Sequence, residues 1–93
     1  MTEDQPTAQI ENARTRVSQT RLAPGQATGF HRHAHDYVIV PITSGTLLLK
    51  EVDGERTAAL EKGVAYFRAA GVEHDVVNAG DAEVVFVEVE ILG

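Results

Sequence analysis

The stretch "GFHRHAHDYVIV", Gly29 to Val40, decides how this chain is read. Three of the four histidines in the sequence, His31, His33 and His35, fall within five residues, and an apolar run follows at once. Alternation with a period of two marks an extended strand, in which residues i and i+2 point to the same side. His31 and His33 therefore share a face, and Arg32 points the other way. In a strand their Cα atoms lie roughly 6.5–7 Å apart, a span that two imidazoles can close onto one ion at ~2.1 Å. His35 keeps the same parity only if the strand runs on without a bulge. The fourth histidine, His74, stands in "RAAGVEHDVVN", after a turn at Gly71 and at the head of the run Val76-Val77. On a neighbouring strand it would sit opposite the pair, and three neutral imidazoles would hold Zn, Fe, Ni or Cu with positions left open for water or substrate.

Outward from this stretch, turn signals recur about every ten residues: Pro24-Gly25, Ser44-Gly45, Asp53-Gly54, Lys62-Gly63, Ala70-Gly71 and Ala79-Gly80-Asp81. The short runs between them are rich in Val, Ile, Leu, Thr, Phe and Tyr, which predicts an all-β sandwich or barrel. The clearest strand is "EVVFVEVEIL", Glu83 to Leu92, where Val85, Val87, Val89 and Ile91 form one apolar face. Val84 and Phe86 fall on the opposite face, which predicts a contact with the N-terminal arm or a second subunit. "GTLLLKEVDGERTAAL" predicts a hairpin with Asp53-Gly54 at its tip. The best helix candidate is "RTAALEKG", short and without an N-cap.

Ninety-three residues make one domain. Residues 1–13 are expected to form a tail or loosely docked arm, and 14–93 the domain proper. Fourteen acidic residues against eight basic give a net charge of −6, which argues against nucleic acid and anionic lipid as partners. The absence of cysteine excludes disulfides and thiolate metal sites. No apolar run approaches the ~20 residues of a membrane span. The polar start "MTEDQPTAQIEN" lacks the basic and apolar regions of a signal peptide, so a cytoplasmic protein is expected.

The spacing of the glycines and histidines resembles that of a small single-domain cupin. The family's first motif is Gly, five residues, His-x-His, three or four residues, Glu, six residues, Gly. Here Gly25 is followed by five residues, then His31-Arg32-His33, and later Gly45. The second motif is Gly, five residues, Pro-x-Gly, two residues, His, three residues, Asn. It is matched by Gly63, "VAYFR", Ala69-Ala70-Gly71, Val72-Glu73, His74, "DVV" and Asn78. The resemblance covers residues 14–92 and implies an antiparallel jelly-roll β-barrel with His31, His33 and His74 as ligands of one divalent transition metal (Fe, Zn, Ni, Mn or Cu). It also implies a homodimer. Two positions depart from the pattern. Ala69 replaces the proline, and the glutamate is missing: its place falls on Tyr37 or Val38, with one residue more than the shortest form of the motif, taken as a bulge near Pro41. His35 or Asp36 replaces it only if the strand bends, and the site is read as three histidines and solvent.

A three-histidine centre leaves the metal charge uncompensated and favours anionic chelating ligands. Three-histidine cupins resembling this one include thiol and diketone dioxygenases. The expectation is a metal-dependent dioxygenase, isomerase or hydrolase acting on a small organic acid or diketone. Tyr37 and Tyr66 are the candidate catalytic proton donors. Arg68 shares a face with Tyr66 and would hold an anion if that face were interior. The competing expectation is a module that binds a small-molecule ligand or senses it without catalysis; a third is a metal-free structural domain. A proton-transfer group in the pocket would favour catalysis, and a pocket of Val, Leu and Phe beside the histidines would favour binding. Asn78 is expected to satisfy backbone groups, and Gly25, Gly45, Gly63 and Gly71 to serve turns.

Overall fold

The β-branched and aromatic runs form nine strands in the computed structural model, which describes residues 6–93. They are β1 (Thr7–Glu11), β2 (Thr15–Leu22), β3 (His31–Arg32), β4 (Asp36–Pro41), β5 (Gly45–Glu51), β6 (Gly54–Leu60), β7 (Tyr66–Arg68), β8 (Glu73–Asn78) and β9 (Val84–Ile91). All neighbours pair antiparallel. A five-stranded sheet has the order β1-β2-β9-β4-β7 and a four-stranded sheet the order β3-β8-β5-β6. The two pack face to face as a jelly-roll barrel. None of the described residues is helical, and no helix is long and apolar enough to cross a membrane.

The core lies between the sheets. Leu22, Ile39, Val84 and Phe86 of the larger sheet meet Leu47, Leu49, Leu60 and Val76 of the smaller. Each fully buried aliphatic or phenyl side chain contributes about 1.5–3 kcal/mol of transfer free energy. The core gathers toward one end of the barrel, where Leu22 and Val84 are closed from solvent. The other end opens into a cavity.

Four local expectations meet the structure differently. The hairpin forms with its tip one residue earlier than expected, at Val52-Asp53, because Gly54 already pairs with Glu51 as the first residue of β6. Gly54, at φ 146°, occupies the region that favours glycine. The helix candidate 56–63 is instead strand β6 and the turn after it, because seven pairings along β5 outweigh a weak helix preference. The register of β4 on β9 is unbroken to Pro41. Beyond it the amides of Ile42 and Thr43 both donate to the carbonyl of Val85, at 2.9 and 3.2 Å, so the extra residue is taken up there.

The fourth is a correction in β9. Val84 and Phe86, expected to face away from the core, are 1% and 5% exposed and fill it. The stripe Val85, Val87, Val89 and Ile91 is the outer face. Both faces of the strand are apolar at this end, so alternation alone cannot say which turns inward. Residues 1–5 of the expected N-terminal arm lie outside the described residues. Residues 7–11 of that arm pair with β2 as the edge strand β1.

Candidate metal site and its cavity

The open end of the barrel brings the two histidine motifs together through backbone pairing. β3 pairs with β8 so that His31 lies directly opposite His74. Directly opposed residues of an antiparallel pair share a face. His33 follows β3 and is tied to the second-motif turn at both backbone groups: its amide donates to Val72 O (2.8 Å), and its carbonyl accepts from Gly71 N (2.8 Å). Side chains lock the same corner. Asp36 Oδ1 accepts from Ala70 N (2.8 Å) and Asp75 Oδ1 from Gly29 N (3.1 Å). Thr28 N donates to Val76 O (2.9 Å), and Thr28 Oγ1 accepts from Val76 N (3.2 Å).

The three rings converge through the same atom. His31 Nε2 and His33 Nε2 are 3.0 Å apart, and His33 Nε2 and His74 Nε2 are 3.1 Å apart. His31 and His33 stand nearly edge-on, at 78°, and His33 and His74 at 89°. The outer nitrogen of His31, Nδ1, donates to Gly29 O at 2.8 Å, since a carbonyl can only accept. That tautomer leaves a lone pair on Nε2 pointing at its two neighbours. His33 and His74 are 6% and 7% exposed. Their pKa values are lowered to about 4, chiefly because burial penalises the imidazolium, and then because His31 is near. At neutral pH both are neutral bases.

Three neutral imidazoles cannot satisfy one another. His33 Nε2 has at most one proton to share between two neighbours. A cation supplies what converging lone pairs lack, and the spacing fits one: two nitrogens each ~2.1 Å from an ion and about 90° apart are ~3.0 Å from each other. The residues present therefore fit a single metal ion. Among the described residues, His31, His33 and His74 are the group of side chains whose ligand atoms come within 4.8 Å of one another. His35 and Asp36 are outside it. Asp36 is exposed and occupied with Ala70 N.

The histidines line a cavity of about 260 Å³ with Thr20, Thr28, Tyr37, Ile39, Leu47, Val76, Phe86, Glu88 and Pro6. Tyr37 is 2% exposed and stacks on His33, with ring centroids 3.9 Å apart. It holds the inward position that the first motif gives to glutamate, while Val38 faces out. Burial, then the nearby Glu88 carboxylate, pushes the Tyr37 hydroxyl up to about 12. Tyr66 is placed outside the cavity wall, against the core beneath the Arg68 guanidinium, which lies 4.5 Å from its ring centre. Arg68 donates to the carbonyl of Phe67 and does not line the cavity. Asn78 is a backbone brace: its Nδ2 donates to Leu22 O and Ala82 O, and its Oδ1 accepts from Gly80 N.

Glu88 is the cavity residue that sequence reasoning missed. Parity is the signal that finds it, since Glu88 lies two residues beyond Phe86 and turns inward with it. Its Oε2 is 3.9 Å from His33 Nδ1. With His33 neutral this is not an ion pair. Burial, and then Glu90, raises the Glu88 carboxyl to about 7.

Comparison with known proteins bears on the fold that carries this site. A family profile described as a cupin domain matches residues 18–90. The chain is 60% identical over 86 residues to the beta-alanine degradation protein BauB of Pseudomonas aeruginosa, covering 92% of this chain and 90% of that one. Among solved structures, a cupin domain from Bordetella pertussis superposes with a TM-score of 0.92 at 50% identity, over 98% of this chain and 97% of the other. A double-stranded β-helix protein from Klebsiella pneumoniae superposes with a TM-score of 0.81 at 25% identity, over 98% and 78%.

Proposed function

Because the chain belongs to the cupin domain family, we propose that it binds one divalent transition metal on His31, His33 and His74 and acts as a metal-dependent enzyme on a small organic acid. The observation that carries this is the convergence of three Nε2 atoms, 3.0 and 3.1 Å apart, in the wall of a cavity of about 260 Å³. Three imidazole donors suit a divalent Fe, Zn, Ni or Cu ion. When bound, such an ion polarises a ligand carboxylate or carbonyl and, as Fe(II), adds redox chemistry with O₂.

The chain's own residues supply the rest. Phe86, Ile39, Leu47 and Val76 give the cavity apolar walls that exclude water. Tyr37 keeps its proton at any physiological pH and serves as a hydrogen-bond donor to the ligand. The cavity volume suits a molecule of a few carbon atoms. The relative from P. aeruginosa is named for degradation of β-alanine, and a step in the breakdown of β-alanine, or of an acid of that size, is the substrate class we assign.

The second reading is a binding or sensor module. A wall that carries Glu88, its carboxyl raised to about 7, beside the histidines favours catalysis, because a module needs no proton-transfer group there. The experiment is metal analysis of protein purified without an affinity tag, repeated for four variants. His31→Ala, His33→Ala and His74→Ala should each lose stoichiometric metal, and His35→Ala should keep it. Oxygen uptake and substrate loss with β-alanine and small acids then separate the two readings. Metal and ligand bound without turnover would establish the module. Wild-type protein that takes up no metal from stoichiometric Fe(II), Mn(II), Ni(II) or Zn(II) would end both.

A further inference from the structure

We infer that Glu88 is a positioning residue, which orients His33 from behind and supplies the negative charge that the first motif lacks. This rests on the metal reading above and adds a residue to it. The family's glutamate position is held by Tyr37, whose ring packs on the face of His33. Glu88 stands on the neighbouring strand, opposite Ile39 and on the same inner face. Its carboxylate approaches Nδ1 of His33, the ring nitrogen away from Nε2. A group there cannot be a ligand of an ion held by Nε2. It can only accept the Nδ1 proton.

A ring that gives its Nε2 lone pair to a metal carries its proton on Nδ1, and that proton needs an acceptor. His31 has one in the Gly29 carbonyl, 2.8 Å away. For His33 the facing group is Glu88 Oε2, at 3.9 Å. That is too long for a hydrogen bond, so the role we assign requires the Glu88 side chain to move toward a ring packed against Tyr37. A carboxylate there makes His33 a stronger ligand and offsets part of the charge that three neutral imidazoles leave uncompensated. Glu90, the next acid on this face, is paired with Arg16 at 3.3 Å and cannot substitute.

The test compares wild type with Glu88→Ala, Glu88→Gln and, as a control, Glu90→Gln. Zn(II) and Co(II) affinities are read by chelator competition. Loss of an outer partner of this kind weakens metal binding about 10–100-fold, so Glu88→Ala should show a loss of that order. Glu88→Gln keeps an acceptor oxygen and should recover part of it. Glu90→Gln should bind as wild type. In the Zn(II)-loaded protein, labelled at the imidazole nitrogens, the Nδ1 proton of His33 should give a signal protected from exchange. That signal should be lost in Glu88→Ala and shifted in Glu88→Gln, which a merely structural role would not produce. Unchanged affinity and an unchanged Nδ1 signal in Glu88→Ala would overturn the role of Glu88 while leaving the metal site standing. An equal loss in Glu90→Gln would reduce the effect to net charge and overturn it as well. Wild-type protein that binds neither of these ions, nor Fe(II), Mn(II) or Ni(II), would remove the metal reading itself.

Discussion

His33, His74 and Glu88 are buried together in one wall, and burial acts on them with opposite signs. The two histidines have pKa values lowered to about 4, against ~6.5 in an unfolded chain. Their neutral burial favours the fold fully above about pH 6.5. That stability is lost as the pH falls toward 4, because the unfolded chain binds protons that the folded one refuses. Glu88 is raised to about 7 from 4.5. Between those values the folded protein holds a proton that the unfolded chain has released, so Glu88 adds stability as the pH falls. Two histidines outweigh one carboxyl. We predict that metal-free wild type loses on the order of 1–2 kcal/mol between pH 7.5 and pH 5, and that Glu88→Gln loses about two to three times that. Urea unfolding at the two pH values measures both. A flat profile, or equal slopes in the two proteins, would contradict the assignment.

Strands β5 and β9 carry the element-scale lesson. Gly25, Gly63 and Gly71 have positive φ, as turn glycines should. Gly45 does not, and is needed for space instead. A Cβ there would lie 2.5 Å from Val84 Cγ1, where the start of β5 meets the start of β9 across the core. Val84 is 1% exposed and cannot swing aside. Gly45→Ala should therefore cost about 2 kcal/mol by overpacking. Val84→Ala should cost a similar amount by leaving a cavity. The double variant should be no less stable than Val84→Ala alone, because the new methyl fills the space that the valine leaves. Denaturant unfolding of the three variants decides it, and strictly additive losses would show that the two residues do not meet.

Over the whole molecule, the outer face of the larger sheet carries an apolar row that crosses all five strands. Register places Ile10, Val17, Val89, Val38 and Phe67 side by side. Ile10 and Phe67 are more than half exposed. The flanking row adds Val87 and Val40. Five strands ~4.8 Å apart and up to eight residues long at ~3.3 Å give a face on the order of 500 Å² before side-chain relief is counted. A stable interface takes ~800 Å² per partner, so this face supplies more than half of one. The occupant we predict is a second copy of this chain, related by a two-fold axis, since an acidic chain of net charge −6 meets itself best through an apolar row rather than through its charged surface. The homodimer expected from the sequence thus moves from Phe86 to Val89. Sedimentation equilibrium should find a dimer, and Val89→Glu should give a monomer that still binds metal. A wild-type monomer at high micromolar concentration would exclude it.

What the sequence determined by itself is what local periodicity and spacing carry. Alternating apolar residues between regular glycine turns specify short strands, hence an all-β barrel. The two motif spacings pick out His31, His33 and His74 before any contact is known. The sequence could not say which face of β9 turns inward. Val84 and Phe86 on one side and Val85 and Val87 on the other are equally apolar, and parity gives relative sides only. Packing against Leu47 and the smaller sheet broke that tie and carried Glu88 into the cavity with Phe86. The meeting of His31 with His74 was likewise decided by strand pairing across 43 positions of chain, 74 − 31, a distance at which local pattern has no hold.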